Sequence, residues 1–388
     1  MGNPRLLYVF PEPFPLRKAR AVQVANTVSA LAETSLAVDL AYVPVLGVDD
    51  PFEVYGLACP KNVRLVPLSR GLPPPFSRLR MHSNRLFLWR LRRWFGVQLK
   101  RGLAPQAVFA RHVKLAAALL DAMPELPLIY EAHEVFSQPA PKLFALEKRV
   151  LKGAAVVITI TQGLANALKR HFGVEREFVV IPSATSLPDE VGHKNWKLAA
   201  GEIAYAGSFY DWKGVDDLIA AGQWLPGFRI TLIGGDEKGV SRLRSHIHPG
   251  GADFSFAGHL THAEVLERLK SSCIAVLPNR AGSVSEFTSP LKLFEYMASG
   301  CAVVASDLPV LREILAEDEA AWFQPGDPKG LADAIRRLAG DPVLAKNMGE
   351  RLAERAKEYS WQARAGRLLQ TVMAVTGSSP NENTRNAS

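Results

Sequence analysis

The chain has 388 residues, 48% of them hydrophobic and 22% charged, with a formal net charge of +8. That is more than one ordinary core organises and suits two domains, and the balance excludes a disordered or collagen-like chain. No run of 18 uncharged apolar residues is present to span a bilayer, and the first apolar run is too short for a signal peptide. The start MGNPRL lacks the Ser or Thr that a myristoylation signal carries. Cys59, Cys273 and Cys301 are widely spaced. They make neither a disulfide framework nor a zinc site, so a reducing cytoplasm and no bound metal are expected.

In chain order, LLYVF (residues 6–10) is a short apolar run entering a proline-rich loop, PEPFPLRKAR. A helix is expected over residues 21–33, with Val24, Val28 and Leu31 on one stripe, followed by the strand AVDLAYV. This is a βαβ opening. Its loop has no glycine, so the GxGxxG dinucleotide fingerprint is absent. Arg17, Lys18 and Arg20 stand there instead, either as solvated charge or as a loop that neutralises a phosphate or meets an acceptor. VRLVPL reads as a strand, and residues 72–75 read as a stiff connector.

Arg78, Arg80, Arg85, Arg90, Arg92, Arg93, Lys100 and Arg101 then follow one another without an acidic residue between them. With Trp89 and Trp94, and with Leu86, Phe87, Leu88 and Leu91 interleaved, they make a basic amphipathic helix. Such a helix suits an anionic membrane surface. No recognition motif supports nucleic acid. The bland alternative is a helix packed into its domain with solvated arginines.

Regular alternation resumes with AVFARH, VKLAAALLDAM, LPLIYEAHE, LFALEKRVLKG, AVVITIT, QGLANALKRHF and FVVIPSATS, which reads as a doubly wound domain over residues 1–183. His133 falls at the carboxyl end of its strand between Glu131 and Glu134, where open α/β sheets place ligands. Residues 184–200 read as a linker. Residues 201–360 repeat the same pattern, 361–376 form a last amphipathic helix, and 377–388 read as a disordered tail.

The most informative stretch is SEFTSPLKLFEYMASGCAVVAS, residues 285–306. Ser289 is a good N-cap and Pro290 a good first helical residue. The amides of Leu291 and Lys292 would then be left for an anion at the positive end of the helix. Lys292, Glu295 and Ser299, three and four apart, share a face. Gly300 can close the helix, and CAVVAS reads as a buried strand. An isolated Lys-x-x-Glu is usually an ordinary surface pair. Its position after a strand end favours a ligand site.

The segments YAGSFYDWKGVDDLI, FAGHL and SPLKLFEYMASGCAVVASDLPVLREIL, with a weaker YEAHE, resemble the retaining nucleotide-sugar glycosyltransferases of family 4. The resemblance implies a GT-B fold, two Rossmann-like doubly wound domains facing each other across a cleft. The N-domain would take the acceptor, the C-domain would take the donor, and the last helix would cross back to the N-domain. In that family a basic pair after the first C-domain strand holds the donor pyrophosphate. Lys213 matches its lysine, whereas Ser208, after Gly207, stands where an arginine is usual; Lys292 or Arg280 could replace it. Glu295 matches the glutamate that binds the nucleotide ribose. Glu286 lies one residue off the other family glutamate, and the backbone of Phe287, Thr288 and Ser289 could take its role. Gly258, His259 and Leu260 match the segment that reads the base, and His133 matches the histidine beside the donor sugar.

The implied activity is transfer of a sugar, with retention, to a lipid-linked or surface-polysaccharide acceptor of the cell envelope. The enzyme would be cytoplasmic or peripheral on the inner membrane face, with no cofactor beyond the nucleotide-sugar. Lys213, Lys292 and the dipole of the helix at Pro290 would stabilise the departing pyrophosphate. No carboxylate pair of the glycosidase type is evident; Asp236 and Glu237 read as a solvated turn. The competing readings are an epimerase or phosphorylase of the same fold, and a non-catalytic nucleotide-sugar-binding protein.

Overall fold

The computed structural model describes residues 4–16, 18–71, 84–282, 287, 289 and 291–377. Arg17, Arg78, Glu286, Thr288 and Pro290, and the tail after Gly377, lie outside the described residues. The chain forms two compact units. The first takes the described residues up to Ile160, Leu164–Ile181 and those from Trp361 onward; the second takes Thr161–Gly163 and Pro182–Ser360.

The first unit holds strands β1 (Arg5–Phe14), β2 (Ala37–Pro44), β3 (Val63–Pro67), β4 (Ala107–Ala110), β5 (Leu128–Ala132), β6 (Val156–Thr159) and β7 (Val179–Val180). They pair in the order β3-β2-β1-β4-β5-β6-β7, each pair parallel. The second unit holds β8 (Ile203–Ala206), β9 (Arg229–Ile233), β10 (Asp253–Gly258), β11 (Ile274–Leu277), β12 (Ala302–Ser306) and β13 (Ala321–Phe323). Their order is β10-β9-β8-β11-β12-β13, again all parallel. Strands of such sheets are covered on both faces and so read as unbroken apolar runs. All of β5 and all of β12 are buried. In each sheet the order reverses beside the first strand, and ligands of open α/β sheets bind at strand carboxyl ends near that point.

Some elements differ from their sequence reading. β1 runs on through Pro11 and Pro13 because its register shifts between Phe10 and Pro13, and an irregularity of that kind accommodates residues without an N–H. Of FVVIPSATS, Val179 and Val180 pair with β6 as a short edge strand that runs into Pro182, and Thr185 makes an isolated parallel bridge to Ser360. Residues 184–200, read as a linker, fall within the second unit. Lys194 sends its ammonium to the carbonyls of Leu269, Lys270 and Ser272 at 2.5–3.0 Å, at the C-terminal end of helix His262–Ser271. Helix Trp361–Thr376 belongs to the first unit, where it packs on helix Ala19–Ala32 and Gln362 donates to Glu33 at 3.3 Å.

Candidate active site

In the second unit, the carboxyl ends of β8, β9 and β10 and helix Leu291–Ala298 surround a cavity of about 460 Å³. Gly207, Ser208, Tyr210, Gly234, Gly235, Asp236, His259, Leu260 and Lys292 line it. The backbones meet closely at its floor. Gly234 has φ +112°, and a Cβ there would stand 2.2 Å from the Gly207 carbonyl oxygen. Gly258, with φ +69°, ends β10, and its carbonyl accepts from Gly234 at 2.7 Å. Asp236 caps helix Glu237–Arg244 by accepting from the Gly239 amide at 2.8 Å, so it is a helix cap rather than a solvated turn.

Lys213 sits in the short turn Asp211–Lys213, and its ammonium lies 3.9 Å from the centre of the Trp212 ring. The next residue must be glycine: Gly214 has φ +68°, and a Cβ would approach the Pro278 carbonyl oxygen to 1.7 Å. Among the described residues no carboxylate pairs with Lys213. Burial, and then the Lys292 ammonium, bring its pKa down to about 8. Lys292 donates to Glu295 Oε2 at 2.9 Å, and Glu295 Oε1 lies 3.7 Å from His262 Nδ1. Glu295 is buried, so the Lys-x-x-Glu pair is not an ordinary surface pair.

Arg280, one of the two residues that could replace the missing arginine of the clamp, holds Asp217 through two bonds of 2.7 and 2.5 Å. Two expectations for the helix are corrected. Ser289 does not cap the helix: its hydroxyl is buried without a hydrogen-bond partner, while the Leu291 amide already donates to the Ser289 carbonyl at 2.9 Å. Ser299 is buried rather than on a polar stripe, and its hydroxyl also lacks a partner. Ser208 keeps its cavity position, its carbonyl accepting from the Tyr205 hydroxyl at 2.7 Å.

His133 lies in the first unit, just past β5, among three charged neighbours. Its Nε2 stands 2.6 Å from Glu131 Oε1 and 2.9 Å from Arg111 Nε, and its Nδ1 stands 3.3 Å from Arg111 Nη2. Nε2 is within reach of both an acceptor, Glu131 Oε1, and a donor, Arg111 Nε. The contact to the carboxylate is the shorter, and a carboxylate only accepts, so the imidazole proton is assigned to Nε2, the Arg111 Nε–H turns to Glu131 Oε1, and Nδ1 is left as the acceptor toward Arg111 Nη2. Arg111 Nε in turn lies 3.2 Å from Glu131 Oε1. Burial foremost, and then the Arg111 charge, bring the His133 pKa down to about 4. Burial alone would push Glu131 up. Arg364, then His133 and Arg111, more than offset it and hold that carboxyl well below the usual range. Glu147 fixes the following loop by accepting from the amides of Phe136 and Ser137 at 3.0 and 2.8 Å. Arg111, Arg364 and Glu147 escaped the sequence reading because they are far apart in the chain and sit in unremarkable motifs.

Lys18 is exposed, and Arg20 is paired with Glu12 at 2.5 Å, which cancels most of the charge that residue would offer a phosphate. Helix Asn84–Lys100 buries Phe87, Leu91 and Phe95. Two of its expected surface residues turn inward. Arg90 bonds the carbonyls of Ser69 and Gly71, and Trp94 is half-buried with Arg64 5.1 Å from its ring centre. Arg85, Trp89, Arg92 and Arg93 are exposed, with Arg93 4.9 Å from the Trp89 ring centre. Among the described residues no helix is long and apolar enough to cross a membrane. Also among the described residues, no group of three His, Cys, Asp or Glu is placed to hold a metal ion.

Residues 200–341 match the model of glycosyl transferases group 1, and residues 21–187 match that of glycosyltransferase family 4. A phosphatidyl-myo-inositol mannosyltransferase of Mycolicibacterium smegmatis is 29% identical over 171 residues, 42% of each chain. A glycogen synthase of Mycobacterium tuberculosis is 26% identical over 248 residues, 60% of this chain and 58% of that one. The chain spans about half the length of the curated relatives it matches. Among solved structures, sucrose-phosphate synthase from Thermosynechococcus elongatus superposes with a TM-score of 0.71 at 18% identity, over 97% of this chain and 100% of that one. Anabaena HepE, in complex with UDP and glucose, gives 0.68 at 14% identity, over 95% and 99%. By these matches and by its two parallel-sheet units, the chain belongs to the glycosyltransferases of family 4 type with the GT-B fold.

Proposed function

We propose that the protein transfers a hexose from a nucleotide-sugar donor to a lipid-linked or surface-polysaccharide acceptor, with retention at the anomeric carbon. The observation that carries this reading is the Lys213 ammonium, which is partly buried, lacks an acidic partner among the described residues, and stands beside cavity-lining Lys292. Lys292 is paired with Glu295, whereas the Lys213 charge, desolvated and beside a second cation, is unfavourable until an anion arrives. A donor pyrophosphate is such an anion, and it gains negative charge as the sugar leaves.

In this reading Lys213 and Lys292 stabilise the leaving pyrophosphate, Glu295 holds a ribose hydroxyl, and the turn of Gly258, His259 and Leu260 faces the base. Glu286, or the backbone amides of Phe287, Thr288 and Ser289 in its place, completes the donor loop ahead of Pro290. His133 contacts the donor sugar as a neutral imidazole. The donor phosphate takes the acceptor's proton as the new glycosidic bond forms on the face the leaving group vacates, so no side-chain base is required. The reading calls for no metal or further cofactor. Arg85, Trp89, Arg92 and Arg93 rest on an anionic bilayer and bring the enzyme to a lipid-linked acceptor. The mannosyltransferase relative, named for a phosphatidylinositol, is consistent with that acceptor class.

The test is a thermal-shift screen against UDP, GDP, ADP and their sugar conjugates, repeated on Lys292→Ala and Glu295→Ala. A ligand that binds the folded state raises the melting temperature by mass action. A shift with one nucleotide family, lost in both variants, supports the donor site and names the base. No shift with any of them would favour a non-catalytic member of the fold.

A further inference from the structure

We infer that Arg364, on the last helix of the chain, is a positioning residue that sets the tautomer and orientation of His133 through Glu131. The inference deepens the reading of His133 as a contact of the donor sugar and rests on it. Arg364 is 5% exposed and Glu131 is 1% exposed, so both charges are out of water. Arg364 Nη2 donates to Glu131 Oε2, and its Nη1 donates to the Ile181 carbonyl at 3.0 Å. The other carboxylate oxygen, Oε1, receives His133 Nε2 at 2.6 Å. The chain of contacts therefore runs from the C-terminal helix, through a carboxylate, to an imidazole whose ring is 23% exposed.

A buried ion pair adds little net stability compared with apolar residues of the same volume, so packing alone gives weak reason for one here. Its chemical consequence is specific. With Arg364 in place Glu131 stays ionised, and an ionised carboxylate can only accept. It pins the imidazole proton on Nε2 and leaves the Nδ1 lone pair on the opposite edge. Among the described residues, the charged groups acting on the ring are Arg111 after β4, Glu131 on β5 and Arg364 on the last helix, and Tyr8 on β1 hydrogen-bonds Arg111. Tyr8 is a neutral phenol, its pKa pushed up to about 12 by burial. Arg111 and Arg364 both oppose a charge on the ring, so His133 is held as a neutral imidazole in one orientation, Nε2 by Glu131 and Nδ1 by the longer contact to Arg111.

Removing Arg364 reverses this balance. Glu131 would be left as a buried carboxylate with less compensation, and the proton most available to it is a second one on His133. The experiment uses the full chain with ¹⁵N-labelled histidine, the His133 signals being assigned by their loss in His133→Gln. In the wild type the Nε2–H tautomer is expected to persist unchanged from pH 7.5 to 5. In Arg364→Met the His133 midpoint is expected to rise to within about one unit of the free imidazole value of about 6.5. The kcat for transfer should then acquire an acid limb at that midpoint, while the donor KM moves less. Arg364→Lys, which keeps the charge, should restore most of the wild-type titration.

An unchanged His133 titration and tautomer in Arg364→Met would overturn the inference. So would a loss of kcat of the same size at every pH, which is the mark of a merely structural role. A shifted titration with kcat unaltered at every pH would keep Arg364's hold on the ring and overturn instead the reading of His133 as a donor contact. If Arg364→Met fails to fold, Glu131→Gln/Arg364→Met leaves neither charge buried alone. An amide at position 131 both donates and accepts, so a mixed His133 tautomer supports the inference there and an unchanged Nε2–H tautomer overturns it.

Discussion

Lys213→Met should make the unliganded protein more stable while abolishing its response to nucleoside diphosphates. Burial and the neighbouring Lys292 lower the Lys213 pKa from 10.5 to about 8. At about 1.4 kcal/mol per unit, holding that ammonium charged costs the folded state on the order of 3 kcal/mol at pH 7. Methionine keeps the unbranched shape of the side chain, one atom shorter, and removes the charge. It also removes the stacking on Trp212, worth about 0.5–2 kcal/mol, which leaves a net gain of roughly 1–2 kcal/mol. For a unit of this size that corresponds to about 2–8 °C in the transition that ligand moves.

The sign follows from linkage. The unfolded chain binds the Lys213 proton more tightly than the folded one, so the cost is complete below pH 8 and disappears as pH rises from about 8 to 10.5. The advantage of methionine should fade over the same window. The assay is thermal unfolding between pH 6.5 and 10.5, with and without nucleoside diphosphate. A variant less stable than the wild type at pH 7 that still shifts with ligand would refute the argument, because Lys213 would then be neither desolvated nor a phosphate contact.

Nucleoside diphosphate affinity, measured by calorimetry, should fall as pH rises above about 8, where Lys213 loses its charge in the unliganded protein. Lys213→Arg should hold it flat to higher pH, because an arginine stays protonated. Lys292→Ala should lower kcat for transfer by ~100-fold or more, the usual effect of deleting a donor aimed at developing negative charge. On helix Asn84–Lys100, Phe87→Ala should cost about 3–5 kcal/mol because Phe87 is fully buried. Trp89→Ala should change stability by less than about 0.5 kcal/mol, since Trp89 is 53% exposed, yet weaken binding to anionic vesicles in a sedimentation assay. Equal vesicle binding by Trp89→Ala and the wild type would remove the membrane from the account. Gly214→Ala should abolish nucleotide binding and lower the melting temperature, because its Cβ has no room beside the Pro278 carbonyl. Unchanged binding in that variant would show that the turn does not set Lys213.

The amino-acid sequence by itself determined the two α/β units and the parallel strands, and it singled out Lys213, Lys292 and Glu295, which the structure sets at or near one cavity. The reason is physical. Parallel strands buried on both faces must be continuously apolar, and helices on a sheet must repeat every three to four residues. Ligand residues at strand ends fall in short motifs whose members are near one another in the chain. Tertiary structure alone decided the rest. That Arg280 is bound to Asp217, Arg20 to Glu12 and Arg90 to backbone carbonyls depends on partners 8 to 63 residues away, which no local motif announces. The link from Arg364 to Glu131 spans 233 residues. No spacing rule reaches that far, because it is the packing of the last helix onto the first unit, and not any local pattern, that brings those two charges together.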